Sequence, residues 1–322
     1  MRSTKFIAVF TLIILAITFL YFFYKEGTLA VDKNEKSTKI FVIKPGESLN
    51  NIVKNLSREG LIRNSVVFYF IIKQKGIEKK IQAGDFRLSP SMNADEIAET
   101  LTHGTLDVWV TIIEGLRKEE VAQIFSKSLD IPEVEFISQS EEGYLFPDTY
   151  LIPRQATAGG IIDILNFTFK QRFTNELKTK VKNLELTEPE AVTLASLVER
   201  EARSDEARQK VASILLKRLQ NEVPLQVDAT IQYALGYQPK EKTWWKKNLT
   251  LEDLKIKSPY NTYLNTGLPP EPISNPSFSS LNAVANADPS TPYMFYITGK
   301  DGKMRYARTL EEHNANIAKY LN

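Results

Sequence analysis

TEPEAVTLASLVEREA, residues 187–202, has the pattern of a capped amphipathic helix. Thr187 is followed three residues later by Glu190, and in this capping box each side chain satisfies a free backbone amide of the other residue. Apolar residues recur at helical spacing and form one stripe within an arc of roughly 120°. These residues are Ala191, Leu194, Leu197 and Val198. The stretch therefore predicts a helix that packs one face into the core of a globular domain.

Two glutamates near the end of this helix have opposite predicted environments. Glu201 lies three residues after Val198 and falls at about the centre of the apolar stripe. Glu199 is about 160° away on the helical wheel, so it is predicted to be an ordinary surface residue. A carboxyl on an apolar face is desolvated, which raises its pKa and keeps a proton available near neutral pH, as a general acid requires. The competing interpretation is that Glu201 reaches solvent at the helix end or pairs with Arg203 or Arg208.

Loops rich in proline, tyrosine and asparagine follow in the last third of the chain, and a similar segment precedes the helix at residues 142–150. Proline fixes φ and lowers the entropy cost of holding a groove wall open. Tyrosine and asparagine combine apolar faces with hydroxyl and amide donors, which suits a carbohydrate, although a rigid loop that only covers the core has the same composition. The predicted substrate contacts are Gln226, Asp228, Thr230, Tyr260, Asn261, Thr262 and Tyr263, together with Tyr144 and Asp148.

The composition excludes several classes of chemistry. The chain has 322 residues and a formal net charge of +2, so it lacks the basic excess of a nucleic-acid-binding protein. It contains no cysteine, which excludes disulfides, thiolate nucleophiles and cysteine metal sites. Its histidines are His103 and His313, so the sequence predicts no metal site and no cofactor. Any catalysis is therefore expected from carboxylates, hydroxyls, amides or the backbone.

The N-terminus carries a predicted membrane anchor. Residues 6–24, FIAVFTLIILAITFLYFFY, form a 19-residue run without a charge. A helix of this length spans about 28 Å, close to the hydrocarbon thickness of a bilayer. Arg2 and Lys5 precede the run, so the positive-inside rule places the N-terminus in the cytoplasm and the remainder of the chain outside. The alternative is a cleaved signal peptide with a weak cleavage site at residues 28–30, but such a peptide usually has an apolar region of only about 7–15 residues.

A small module follows the anchor. Residues 25–39 are polar and predict a linker, and residues 40–106 predict the element order β-α-α-β-α. The opening segment of the module, FVIKPGESLNNI at residues 41–52, resembles the start of the LysM fold, a carbohydrate-binding module of cell-wall proteins. The predicted organisation is therefore an anchor at residues 1–24, the linker, the LysM-like module and a larger domain at residues 107–322.

Five sequence blocks occur in a fixed order along the chain. They are EGYLFPDTY, LASLVEREA, VDATIQYALG, SPYNTYLNTGLPPEPISNPS and SLNAVANADPSTPYMFYI. Together they resemble the endolytic murein transglycosylase family, the YceG-like proteins, from about residue 40 to the C-terminus. With this resemblance the predicted fold is α+β: a membrane helix, the LysM-like βα module and a mixed α+β catalytic domain with a lysozyme-like cleft.

The resemblance implies a single-pass inner-membrane protein whose body is extracytoplasmic. Members of the family cleave the β-1,4 bond between N-acetylmuramic acid (MurNAc) and N-acetylglucosamine (GlcNAc) within peptidoglycan strands and leave 1,6-anhydroMurNAc ends. Their catalytic glutamate is the second of an (I/V)-E-x-E helix, which corresponds to Glu201 in Val198-Glu199-Arg200-Glu201. The implied partners are glycan strands, the membrane and proteins of cell-wall synthesis, and the implied role is in wall synthesis or glycan-strand termination.

Two alternatives stay open at this stage. In a lytic mechanism the C6 hydroxyl of the substrate attacks C1, so no water and no second carboxylate are required, and Asp228 is a site-shaping acid. If Asp228 acted as nucleophile or base beside Glu201, the protein would instead be a peptidoglycan hydrolase, a muramidase. The other alternative is a non-catalytic scaffold that binds the wall through the LysM-like module.

Overall fold

The structure is a computed structural model that describes residues 2–103 and 107–321, with side chains from residue 10 onward. The chain divides into two units, one formed by Met1–Val110 and Tyr150–Ala156 and the other by Thr111–Thr149 and Thr157–Asn322. Helices alternate with short two-stranded sheets. This is the mixed α+β class that the sequence predicts.

The first unit begins with a long apolar helix and continues as a small module. Its elements are α1 (Arg2–Thr28), β1 (Lys39–Ile43), α2 (Leu49–Arg58), α3 (Ser65–Lys75), β2 (Gly84–Leu88) and α4 (Ala94–His103). A second pair of strands, β3 (Asp107–Thr111) and β4 (Thr149–Pro153), forms a separate two-stranded sheet. The order β-α-α-β-α of the module is as predicted. The predicted end of the module at residue 106 lies in segment 104–106, outside the described residues.

Local signals explain how the module folds. Ser48 is the N-cap of α2, and its side chain accepts a hydrogen bond from the backbone amide of Asn51. The apolar face of α2 packs on the antiparallel pair β1–β2, in which Phe41 and Phe86 lie opposite each other and are both buried. Gly46 makes the turn between β1 and α2 with a φ of 77°, a conformation that side chains rarely adopt.

The helix α1 leaves most of its apolar surface uncovered. Within the described residues it is the one helix that is long and apolar enough to cross a membrane, over Phe10–Thr28 with a mean hydropathy of 1.4. Its C-terminal end is tied to the module, because Arg63 pairs with Glu26 and also donates to the carbonyl of Ala30 at 2.6 Å. A helix whose apolar side chains face outward in this way has the surface expected of a membrane span.

The second unit is built mainly from helices. They are α5 (Lys118–Leu129), α6 (Glu133–Gln139), α7 (Ala158–Arg172), α8 (Asn175–Asn183), α9 (Glu188–Glu201), α10 (Asp205–Gln220), α11 (Asp228–Leu235), α12 (Phe278–Ala285) and α13 (Leu310–Tyr320). An antiparallel hairpin of β5 (Phe295–Thr298) and β6 (Met304–Ala307) precedes α13.

Helix α9 lies at the centre of this unit. The predicted capping box is present, since Thr187 donates its backbone amide to Glu190 at 2.8 Å and accepts the amide of Glu190 in return. Every residue from 191 to 198 is buried, and α8, α10, α11 and α12 all pack against the helix. A helix that is covered on all sides has no solvent face, and this changes the environment of the residues at its end.

Candidate active site

Glu201 is the last residue of α9. The backbone leaves the helix at Ala202, whose amide still donates to the carbonyl of Val198 at 3.0 Å. The carboxylate is therefore carried by the end of a helix that is capped at its start and packed along its length. Such a support holds a side chain more rigidly than a loop does.

The surroundings of Glu201 favour its neutral form. Burial raises the pKa of Glu201 to about 7. A hydrogen bond from the hydroxyl of Tyr296 acts in the opposite direction, because it stabilises the carboxylate. The negative charge of Asp228 raises the pKa of Glu201, and the positive charge of Arg200 lowers it. The result is a carboxyl group that exchanges its proton near neutral pH, as the position of Glu201 on the apolar stripe predicts.

Glu201 lines two cavities of the second unit. The first, which we call the tyrosine cavity, has a volume of about 560 Å³ and is lined by Arg218, Gln226, Asp228, Tyr263, Tyr296 and His313 as well as Glu201. The second, which we call the basic cavity, has a volume of about 650 Å³ and is lined by Arg200, Arg203, Lys210, Lys300 and Lys303 as well as Glu201. The acid is thus accessible from two differently charged pockets.

Asp228 and Tyr263 form a pair beside the acid in the tyrosine cavity. The Tyr263 hydroxyl donates to Oδ1 of Asp228 at 2.6 Å. Burial, and then this hydrogen bond, raises the pKa of Tyr263 well above its usual value, so its hydroxyl keeps the proton that it donates. Asp228 begins α11, where the helix dipole favours a negative charge. The hydrogen bond therefore fixes the Asp228 carboxylate in the cavity that Glu201 also lines.

Gln226 joins this cavity through an unusual backbone conformation. Its φ is +52°, in the left-handed region that non-glycine residues seldom occupy. The strain is held by a hydrogen bond from its amide to the carbonyl of Thr262 at 3.1 Å. Strained residues of this kind cluster at ligand sites, and the exposed side chain of Gln226 lies at the cavity.

Three of the predicted sugar contacts are interior residues. Thr230 and Thr262 are buried and share a hydrogen bond at 2.9 Å, and Thr262 also accepts the amide of Val227. Asn261 is fully buried, and its side-chain amide donates to the carbonyls of Leu254 and Ile256. Because these polar groups already have protein partners, we revise their role: they hold the loop in place behind Gln226 and Tyr263.

The remaining predicted contacts do not line either cavity of Glu201. Tyr260 packs on Tyr233 with ring centroids 4.8 Å apart and donates to Glu271 at 3.4 Å. Tyr144 packs edge-on against Phe169. Asp148 pairs with Arg172 at 3.4 Å and lines a third cavity of about 450 Å³. The structure thus brings Gln226, Asp228 and Tyr263 together with Glu201, but not these three residues.

The surface position predicted for Glu199 is wrong. Only 5% of its side chain is exposed, and it pairs with Arg208 at 3.0 Å. Its other oxygen accepts hydrogen bonds from the amide and hydroxyl of Ser277 and from the hydroxyl of Ser280. The helical wheel assumed solvent on this side of α9, whereas the start of α12 covers it. Arg208, one of the two possible partners of Glu201, is therefore the partner of Glu199.

Tyr296 and Arg218 are among the residues of the tyrosine cavity that the sequence did not predict as site residues. Tyr296 lies on β5 and hydrogen-bonds to Glu201, and Arg218 lies on α10, where it donates to the carbonyl of Leu225 at 2.8 Å. Arg218 interrupts an otherwise apolar face of α10, and an arginine on such a face was the available signal. Within residues 2–103 and 107–321, no group of three or more His, Cys, Asp or Glu side chains is placed to hold a metal ion.

Comparison with known proteins identifies the family of this chain. A sequence model of the YceG-like family matches residues 41–319. A Bacillus subtilis protein named endolytic murein transglycosylase is 31% identical over 93% of this chain and 90% of its own length. A Streptococcus pneumoniae protein of the same name is 29% identical over 94% of this chain and 62% of its own length. The crystal structure of a YceG-like protein from Listeria monocytogenes aligns with a TM-score of 0.61 at 27% identity, covering 87% of this chain and 99% of that one. The resemblance carried by the five sequence blocks is confirmed, and the chain belongs to the YceG-like family.

Proposed function

We propose that this protein is a membrane-anchored lytic transglycosylase that cleaves glycan strands of peptidoglycan, with Glu201 as the catalytic acid and base. The observation that carries the proposal is the environment of Glu201, a half-buried carboxyl with a pKa of about 7 that lines two cavities at the end of a rigid helix. The names of the Bacillus and Streptococcus relatives supply the substrate class and the reaction.

The reaction follows from one carboxyl group. Glu201 in its protonated form donates to the glycosidic oxygen between MurNAc and GlcNAc while the bond to C1 breaks and oxocarbenium character develops. The C6 hydroxyl of the same MurNAc then attacks C1, and Glu201 takes the proton of that hydroxyl. The products are a GlcNAc hydroxyl end and a 1,6-anhydroMurNAc end, and no water is consumed. A pKa near 7 suits a group that must both give and take a proton.

The neighbours of Glu201 have supporting roles in this proposal. The Asp228 carboxylate, held by Tyr263, keeps the acid protonated and stabilises positive charge on the sugar in the transition state. Tyr296 orients the Glu201 carboxylate through its hydroxyl. Gln226, with its strained backbone, contributes an exposed amide for a sugar hydroxyl.

The N-terminal helix and the module are proposed to keep the protein near its polymer. Helix α1 is proposed to cross the inner membrane once, with the basic residues before it in the cytoplasm and the two units outside. The antiparallel β1–β2 pair with two intervening helices supports the LysM-like assignment of the module. The cavities around Glu201 are proposed to be parts of one lysozyme-like cleft. Cleavage near the membrane would release or terminate strands during wall synthesis.

A hydrolase is the second candidate, because Asp228 lines the same cavity as Glu201. In that mechanism the second carboxylate acts as nucleophile or activates water, and the product has an ordinary reducing end. The two mechanisms therefore differ in whether oxygen from water enters the product. A wall-binding scaffold differs from both, since it gives no product.

The deciding experiment uses the full-length protein in detergent with purified glycan strands in ¹⁸O-labelled water. We expect 1,6-anhydroMurNAc ends without label from the wild type and no cleavage by Glu201→Gln. The matched control is Glu252→Gln, which changes an exposed glutamate outside both cavities and should cleave as the wild type does. Labelled reducing ends would establish the hydrolase instead, and absence of any product from the wild type would leave the scaffold.

A further inference from the structure

The basic cavity combines the catalytic glutamate with an excess of positive charge. Arg200 and Arg203 come from the end of α9 and the turn after it, and Lys210 comes from α10. Lys300 and Lys303 come from the turn of the β5–β6 hairpin. The acidic residues that line the same cavity are Glu201 and Glu206. With Glu201 largely neutral below its pKa of about 7, the cavity attracts anions.

Two of these cations have partners within the protein. Lys210 pairs with Glu206 at 2.7 Å, so the second acid of the cavity is neutralised. Arg200 lies over the ring of Trp245, 3.7 Å from its centroid, and donates to the carbonyl of Gly115 at 3.2 Å. These contacts hold the wall of the cavity. The excess positive charge of the cavity therefore comes mainly from its other three basic residues.

Arg203, Lys300 and Lys303 make no ion pair with any residue that the structure describes. The nearest acid in sequence to the two lysines is Asp301, but its carboxylate is taken by Arg305 at 2.8 Å. The same ion pair and the positive φ of Gly302, 73°, shape the hairpin turn that carries both lysines. The turn therefore presents two unneutralised ammonium groups to a cavity that contains the catalytic acid.

Resting on the proposed function, we propose that the basic cavity is a subsite for the carboxylates that MurNAc carries on its lactyl group. The sugar rings of a glycan strand are uncharged, and its negative charge lies on the lactyl group itself or on the stem peptide attached there. The basic cavity presents Arg203, Lys300 and Lys303 next to Glu201. On the side of the scissile bond that lies in this cavity, these cations would favour MurNAc, which carries the carboxylate, over GlcNAc. The subsite thus sets the direction in which a strand lies across Glu201 and excludes neutral polymers of GlcNAc.

The test compares the wild type with a Lys300→Gln/Lys303→Gln double variant, full-length in detergent. Both lysines are exposed on a turn, so the fold does not depend on their charge. The control is Lys127→Gln/Lys182→Gln, which removes the same charge from exposed positions outside both cavities. Three substrates are used: peptide-bearing strands with acetylated amines, the same strands with their carboxylates converted to methylamides, and strands stripped of peptide by an amidase.

We expect the double variant to raise KM for the free-acid strands by about five- to tenfold, as for two partly solvated charge contacts. Its KM for the methylamide strands should equal that of the wild type. On charged strands, salt should weaken binding by the double variant less than binding by the wild type and the control, because Arg203 remains in the variant. A rise in KM on stripped strands as well identifies the lactyl carboxylate, and a rise only on peptide-bearing strands identifies the stem peptide; either supports the subsite. An equal KM on charged strands, or an equal loss on methylamide strands, would overturn it.

Failure of this inference is separable from failure of the proposed function. Affinity is also measured calorimetrically in a Glu201→Gln background, where no turnover is needed. If the wild type does not cleave any strand, the proposed function fails, whereas the affinities for free-acid and methylamide strands still test the subsite. If the wild type cleaves all three substrates and the lysine substitutions change nothing, the function stands and the subsite does not.

Discussion

The carboxylate of Glu199 accepts a hydrogen bond from the backbone amide of Ser277 at 2.8 Å, across 78 positions of sequence. Ser277 is also the N-cap of α12, where its side chain accepts the amide of Ser280. One carboxylate therefore ties the start of α12 to the last turn of α9, two residues before Glu201. This contact fixes the part of the helix that carries the acid.

Glu199→Gln is expected to destabilise the protein. It removes the charge that balances Arg208 and replaces an acceptor oxygen with a donor opposite two serine donors, which should lower the free energy of unfolding by about 2–4 kcal/mol. Because the last turn of α9 loosens, kcat should fall more than KM rises. Thermal unfolding followed by circular dichroism and strand-cleavage kinetics measure both effects. Unchanged unfolding relative to the control Glu252→Gln would show that the network is not structural.

The rate of cleavage by the wild type should depend on pH through Glu201. Since protonated Glu201 is the acid and its pKa is about 7, kcat/KM should be steady below that value and fall by about tenfold per pH unit above it. The measurement is cleavage of glycan strands across the neutral range, with circular dichroism at each pH to show that the fold persists. A rate that stays constant through pH 7 and above would exclude Glu201 as the acid with this pKa.

Two substitutions near Glu201 should move the alkaline limb of that profile in opposite directions. Asp228→Asn removes a negative charge, so the pKa of Glu201 falls and the limb moves to lower pH. Tyr296→Phe removes a donor to the carboxylate, so the pKa of Glu201 rises and the limb moves to higher pH. Each shift is expected to be about 0.5–1 unit.

The same pair of variants bears on the mechanism. A lytic transglycosylase should retain measurable cleavage in Asp228→Asn, because the substrate supplies its own nucleophile. In a hydrolase that uses Asp228, this variant should be inactive, as variants of an essential nucleophile or base are. Shifts in the same direction for both variants would contradict the assigned electrostatics of Glu201.

Glu201→Gln should make the inactive protein more stable at alkaline pH. The pKa of Glu201 in the folded protein lies above the ordinary value of 4.5, so its contribution to stability is fully present below pH 4.5 and is lost as the pH rises through about 7. A glutamine in its place is not ionised, and the variant should gain up to about 3 kcal/mol over the wild type at about pH 8.5.

The check is the difference in thermal midpoint between Glu201→Gln and the wild type at two pH values. At about pH 3, well below the ordinary pKa of 4.5, the difference should vanish, because Glu201 is neutral in both the folded and unfolded states there. Glu252→Gln should show no such dependence, since its side chain is exposed. A gain in stability that does not grow with pH would mean that burial of the charge is not what raises the pKa.

The sequence alone was sufficient for the elements whose signals are local. The apolar length of α1, the Ser48 cap of α2, the capping box of α9 and the position of Glu201 on its apolar stripe all depend on residues within a few turns of one another. Helical periodicity and capping are short-range effects, so they can be read before the fold is known.

Tertiary structure decided what surrounds those elements. Glu199 is buried because α12 covers the far side of α9, and Thr230, Asn261 and Thr262 are interior because their loop is held inside the second unit. The pKa of Glu201 depends on Tyr296, which lies 95 positions further along the chain, and on the packing that excludes water. Sequence by itself determined which carboxylate lies at the end of the helix. Its proton affinity and its neighbours were decided by long-range packing, because desolvation and charge act through space and not along the chain.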